Sequence, residues 1–119
     1  MSIRRIVPNI HVEAEEQWNT SREFYGLLGF EEVMDMGWVT TLASPSNPTA
    51  QISLFTEERS APVVPDLSVE VEDVDAVYAQ VAASGAEIVR EPRDEEWGVR
   101  RFFVRDPNGR VINVLTHRS

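Results

Sequence analysis

The six residues SGAEIV (Ser84–Val89) echo LGFEEV (Leu28–Val33): in each, a glycine follows a helical run, a glutamate stands two places later, and valine closes the segment. The two glycines, Gly29 and Gly85, lie 56 residues apart; Gly37 and Gly98 lie 61 apart, and Pro45 and Pro107 lie 62 apart. Near-constant spacing of turn residues over half a chain points to an internal duplication.

Working outward, the spacing of apolar residues gives the same element order twice. Ile3 to Val12 alternates as a strand, and EAEEQWNTSREFYGLLG then places Ala14, Trp18, Ser21, Tyr25 and Leu28 on one helical face, with Gly29 as a stop. FEEVMDM, GWVTTLAS and TAQISLF follow as three β segments, separated by Gly37 and by the turn-forming PSNPT. After the polar, proline-bearing TEERSAPVVP, the series restarts. DLSVEVE reads as a strand, and DVDAVYAQVAASG as a helix with Asp73 as N-cap and Gly85 past its end. AEIVREP, GVRRFFVRD and RVINVLTH close it as strands. The predicted architecture is one α+β domain over residues 1–119, built from a βαβββ module (1–56), a connector (57–65) and a second βαβββ module (66–119).

Strand parity then separates two faces, because residues two apart share a side. Ile6, Pro8, Ile10 and Val12, Ile52 and Leu54, Leu67, Val69 and Val71, and Ile112 and Val114 form an almost wholly apolar set, suited to lie under the helices. The opposite set is mixed: Val7, Asn9 and His11; Gln51, Ser53 and Phe55; Asp66, Ser68 and Glu70; Val111, Asn113, Leu115 and His117. Such a face is either solvated surface or the wall of a ligand cavity, and periodicity alone leaves both open.

Composition narrows the function. With 20 acidic against 11 basic residues, all of them arginine, the net charge is −9, which repels nucleic acid and anionic membranes and suits a cationic partner better. The absence of cysteine removes disulfides, thiolate catalysis and thiolate metal sites. No apolar run approaches the ~20 residues of a membrane span, and the start MSIRRIVPNIHV lacks the apolar core of a signal peptide, so a cytoplasmic protein is expected.

The segments EFYGLLGFEEV, GWVTTL, VEVEDVDAVYAQVAASGAEIVREP and WGVRRFFVRDPNGRVINVL, in paired βαβββ order, resemble the vicinal oxygen chelate superfamily of glyoxalases, extradiol dioxygenases and fosfomycin- and bleomycin-resistance proteins. The resemblance implies a cupped mixed sheet, usually in a homodimer, with a cavity in each cup. It also implies that the metal enzymes of the family project four ligands into the cavity from the first, fourth, fifth and last strands. Those positions fall here on Val7, on Ser53 or Gln51, on Asp66 and on Asn113. Valine offers no electron pair, and the neutral side chains are weak donors, so only Asp66 resembles a strong ligand. The resemblance therefore implies the metal-free, bleomycin-resistance-like branch: no cofactor, no catalysis, and sequestration of a small aromatic or cationic molecule such as an antibiotic. Asn9, His11, Trp38, Gln51, Ser53, Asp66, Ser68, Trp97 and Asn113 are its candidate ligand contacts, the two tryptophans as stacking surfaces or as packing. The alternative is a divalent-metal lyase or isomerase using a set such as His11, Asp66 and Glu70.

Overall fold

A computed structural model describes residues 2–13, 15–57 and 63–118; Ala14 of the predicted helical face, and residues 58–62 of the predicted connector, lie outside them. The elements run β1 (Ile3–His11), α1 (Glu15–Leu27), β2 (Glu31–Asp35), β3 (Val39–Ser44), β4 (Asn47–Phe55), β5 (Leu67–Val71), α2 (Val74–Ala83), β6 (Ile88–Asp94), β7 (Val99–Arg105) and β8 (Val111–His117). This is the α+β, twice-βαβββ order that the sequence predicts.

The chain divides into an N-terminal unit, Val7–Val64, and a C-terminal unit made of Met1–Ile6 with Pro65–Ser119. Strand β1 thus contributes its first residues to one unit and its remainder to the other. In the N-terminal unit the strands lie in the order β2-β3-β4-β1, with β1 parallel to β4 and the other pairs antiparallel. In the C-terminal unit the order β6-β7-β8-β5 repeats that pattern, with β5 parallel to β8. Asn9 faces Ser53 in one unit and Ser68 faces Asn113 in the other. Identical strand order and pairing sense in both halves agree with duplication.

Local chemistry explains the element ends. Asp73, extended at φ −135° and ψ 96°, caps α2 by accepting the amide of Ala76, and Thr116 Oγ1 ties the same helix start to β8 by accepting from Val74 N and donating to Val71 O. Gly29 (φ 109°) and Gly85 (φ 84°) turn the chain out of α1 and α2 in the left-handed region that glycine enters without strain. Between β7 and β8, Asp106 Oδ1 accepts the amides of Asn108 and Arg110, which folds DPNG into a tight turn. The first hairpin is tighter than PSNPT suggests, since β4 begins at Asn47 and only Pro45 and Ser46 form the turn.

The helix-side core of the C-terminal unit is Val71, Val74, Phe102, Val104 and Val114, with Val69, Val77, Tyr78, Val81 and Ile112 against it. Its β5 and β8 members, Val69, Val71, Ile112 and Val114, come from the predicted apolar parity. Phe102 is fully buried and meets Tyr78 edge-on, ring centroids 5.2 Å apart. In the N-terminal unit the same expectation holds only in part. Leu54, Val12 and Trp18 are buried, but Pro8 is exposed, and Val7 of the mixed set is the buried one; Ile6, in the part of β1 that belongs to the C-terminal unit, is 50% exposed. Leu28, expected on the covered face of α1, is 64% exposed because it lies beyond the helix, in the turn that leads to Gly29.

Candidate functional site

Because Phe102, Val104 and Val114 point to α2, their neighbours Arg101, Phe103, Asn113 and Leu115 point away from it. That face is not solvated surface. Phe103, Arg101, Asn113 and Leu115 are at most 6% exposed and Ser68 is 8% exposed. Cross-strand register lays one row over four strands, Arg90 on β6, Phe103 on β7, Asn113 on β8 and Ser68 on β5. A second row holds Arg93, Arg101, Leu115 and Glu70.

Two of the predicted residues meet here, for Asn113 Nδ2 donates to Ser68 Oγ at 3.1 Å. The carbonyl oxygen Oδ1 of Asn113 is buried without a hydrogen-bond partner, an arrangement that costs stability unless something else satisfies it. Asp66 plays a different part from the expected one. Its backbone amide donates to Val111 O, its Oδ2 accepts from Val111 N at 2.8 Å, and Arg110 stands 3.8 Å from Oδ1, so its carboxylate closes the end of the β5–β8 pair. Glu70 is engaged too, accepting from Arg5 Nε at 2.8 Å and lying 3.2 Å from His117 Nδ1.

The sequence reading missed the arginines of this face. Arg90, Arg93 and Arg101 converge on Glu95, whose side chain is only 3% exposed; Arg90 bonds it through Nη2, Arg101 stands 3.4 Å away and Arg93 3.7 Å. The guanidinium of Arg90 lies over Phe103, 5.6 Å from the ring centroid, and that of Arg101 lies over both Phe103 (4.9 Å) and Trp97 (5.1 Å). Burial above all pulls the guanidinium of Arg90 below its usual pKa; Glu95 opposes this, and the like charges of Arg101 and Arg93 reinforce it. Strand β6 shifts register on both sides of Arg90, between Ile88 and Arg90 and between Arg90 and Arg93. Bulges of this kind re-aim side chains and recur beside functional sites.

In the N-terminal unit the remaining candidates are more dispersed. Ser53 is buried and shares a 3.2 Å hydroxyl contact with Thr41. Register makes Ser53, and not Gln51, the counterpart of Asn113, since each faces the equivalent residue of the parallel strand. Gln51 instead donates to Pro48 O. His11 is exposed, its Nε2 3.2 Å from Thr56 O, and Asn9 is half-buried. Trp38 is a packing residue, 5% exposed and tilted against Phe55 at 5.7 Å, whereas Trp97 is half-buried. A cleft of about 320 Å³ opens between Trp18, Arg22, Asp35 and Thr56, but its charges are matched internally, Arg22 by Glu32 and Asp35 by the amide of Gly37.

At the four family ligand positions the chain therefore presents a buried valine, a hydroxyl bonded to Thr41, a carboxylate bonded to a strand amide and an amide bonded to Ser68. A valine, two neutral donors and a single carboxylate already engaged by a strand amide do not suit a catalytic divalent ion. Among the described residues no three His, Cys, Asp or Glu side chains gather closely enough to form another metal set. No helix of the described residues is long and apolar enough to cross a membrane.

The family model described as glyoxalase/bleomycin resistance protein/dioxygenase superfamily matches residues 16–114. No curated protein matches the chain. Among solved structures it is similar to one from Legionella pneumophila described as an NAD-dependent benzaldehyde dehydrogenase (17% identity, 95% of this chain and 99% of that one, TM-score 0.72). It is also similar to a superfamily member from Vibrio splendidus 12B01 (20% identity, 97% and 99%, TM-score 0.65). A third is the Mn(II)-bound glyoxalase of Novosphingobium aromaticivorans (19% identity, 96% of this chain but 38% of that one, TM-score 0.64). Likeness at these identities speaks for the fold, while the family match spans most of the sequence. The chain belongs to the glyoxalase/bleomycin resistance protein/dioxygenase superfamily.

Proposed function

We propose that this protein binds a small, flat aromatic molecule without a metal ion, as a non-catalytic sequestering protein, in the manner expected for a drug-binding member of the superfamily. The observation that carries the reading is the donor chemistry at the four ligand positions: Val7, Ser53, Asp66 and Asn113 offer one carboxylate between them, and that carboxylate holds the amide of Val111. A buried face of aromatic rings with a few placed polar groups is what small-molecule recognition uses. The lyase alternative through His11, Asp66 and Glu70 loses support, because Glu70 is held by Arg5 and His117.

Of the two ligand classes, the aromatic one is favoured over the cationic one. The π-faces of Trp97 and Phe103 already carry the guanidinium groups of Arg101 and Arg90, so a cationic guest must displace an internal cation to reach them. We further propose the homodimer that the resemblance implies; light scattering then returns twice the 13.5 kDa mass of the chain. The test of binding is a titration of chelator-treated protein with a panel of flat aromatic drugs, bleomycin-type compounds included, followed by tryptophan emission. Saturable quenching by at least one compound is expected, and its absence across the panel overturns the proposal.

A further inference from the structure

We propose that two copies of this chain meet through an apolar groove on the helix side of the C-terminal unit, each seating Ile6 in the other's groove and setting Arg4 against the other's Glu72. This rests on the homodimer proposed above and names the surface that forms it.

The groove, about 390 Å³ in volume, is walled by Val69 and Val114 of the sheet, Val77 of α2 and Ile3 of β1, with Gln80 and Ser2 as its polar members. Val69 and Val77 are half-buried, so α2 leaves part of the apolar side of the sheet uncovered. Ile3 at 63% and Ile6 at 50% are the exposed large hydrophobic side chains of this unit among the described residues. Arg4 and Ile6 share one side of β1, since alternate residues of a strand point the same way, and it is the side expected under the helices. The amide of Glu72, just past β5, donates to Ser2 O at 3.1 Å and brings that carboxylate-bearing residue to the edge of the same surface. An apolar ridge beside an apolar groove is self-complementary: a two-fold axis lays each ridge in the other copy's groove.

Charge selects a second copy over other occupants. Arg4 is exposed and has no ion pair, whereas every other arginine among the described residues has one. That is unexpected in a chain of net charge −9, where carboxylates outnumber arginines. Glu72 is exposed as well, and its side chain has no partner among the described residues. A cationic partner leaves Arg4 unanswered, an anionic one leaves Glu72 unanswered, and a neutral ligand leaves both. A second copy answers both at once, with two symmetric ion pairs at the rim, where charges steer association and fix register.

The experiment is sedimentation of the full chain over a range of concentrations, for wild type, Ile6→Ser, Arg4→Glu, Glu72→Arg and the double reversal Arg4→Glu/Glu72→Arg. Each change acts twice in a two-fold dimer. Ile6→Ser is expected to weaken dimerisation by about tenfold or more, through lost apolar burial. Either single charge reversal should weaken it by about tenfold, and the double reversal should return it to within about threefold of wild type. A dimer that Ile6→Ser and both reversals leave unchanged overturns the assignment of the surface, while the homodimer stands. A wild-type chain that is monomeric at every concentration defeats the homodimer itself. A double reversal no stronger than either single one overturns the pairing of Arg4 with Glu72. An apolar dye taken up one per chain by an unchanged dimer, and lost on Gln80→Trp, assigns the groove to a small molecule and overturns the proposal. Should Ile6→Ser fail to fold, the reversals, confined to exposed residues, still decide.

Discussion

Replacing Asn113 by leucine separates a residue kept for binding from one kept for the fold. The two side chains are similar in size and shape, and Asn113 is 5% exposed, so the exchange takes place out of water. What is lost is one neutral hydrogen bond, Asn113 Nδ2 to Ser68 Oγ, worth about 0.5–1.5 kcal/mol. What is gained is removal of the unpartnered Oδ1, a buried acceptor whose desolvation costs about 1–3 kcal/mol. The two contributions nearly cancel or favour the variant. Asn113→Leu is therefore expected to lie within about 1 kcal/mol of wild type or above it, roughly 4 °C in Tm for a chain of this length. Urea denaturation and a thermal melt measure this, and aromatic-probe titration on the same sample measures binding, which should fall by about tenfold for loss of a contact worth ~1.4 kcal/mol. A stability loss above about 3 kcal/mol refutes the reasoning, because Asn113 is then a structural node rather than a group held in reserve for a ligand.

Three further predictions concern the frame that holds this face. Phe102→Ala removes a fully buried ring that meets Tyr78 edge-on and should cost about 3–5 kcal/mol in urea denaturation, as large-to-small changes in tight cores do. Asp73→Ala deletes the cap on the Ala76 amide and should cost about 1 kcal/mol, whereas Asp73→Asn or Asp73→Ser should restore most of it. The phenol of Tyr78 is held above its usual pKa, first by its hydrogen bond to Glu91, then by burial and by the charge of Glu91. A raised folded pKa means that the stabilisation is complete below the unfolded value near 10 and is lost as pH rises through the folded one. Absorbance at the phenolate band should therefore show a late-titrating tyrosine, and Glu91→Gln should bring it back toward the ordinary value.

Much of the frame is legible in the sequence. The duplicated turn glycines, the cap at Asp73 and the alternation in β5 and β8 are short-range signals, and each survives as an element boundary or a buried face. Position counting alone could not choose between Gln51 and Ser53. Between the paired residues of its last two strands the N-terminal unit is two residues longer, Thr41 to Ser53 against Phe103 to Asn113, so no constant offset fits all the strands. The parallel pairing of β1 with β4 decides it.

The arginines were harder to read for a physical reason. In VRRFFVR each parity sets an arginine beside a phenylalanine, Arg100 with Phe102 and Arg101 with Phe103, so alternation cannot say which of these two arginines is buried. The structure places Arg101 over Phe103 at 4% side-chain exposure and leaves Arg100 at 32%, paired with Asp75 and Asp94. Arg90 sits between two register shifts, where the period of two that sequence reasoning depends on is broken. A bulged strand hides its inward residues from any pattern count.

The central claim is that the family's ion-holding positions have been turned to other uses, leaving rings and polar side chains to recognise the ligand. Calorimetric titration of chelator-treated protein with Zn²⁺, Ni²⁺ and Mn²⁺ tests it most directly. No stoichiometric uptake of any of the three is the expected result, with aromatic-probe affinity unchanged by their presence. One ion held per chain, lost on Asp66→Asn and required for the probe to bind, contradicts the claim.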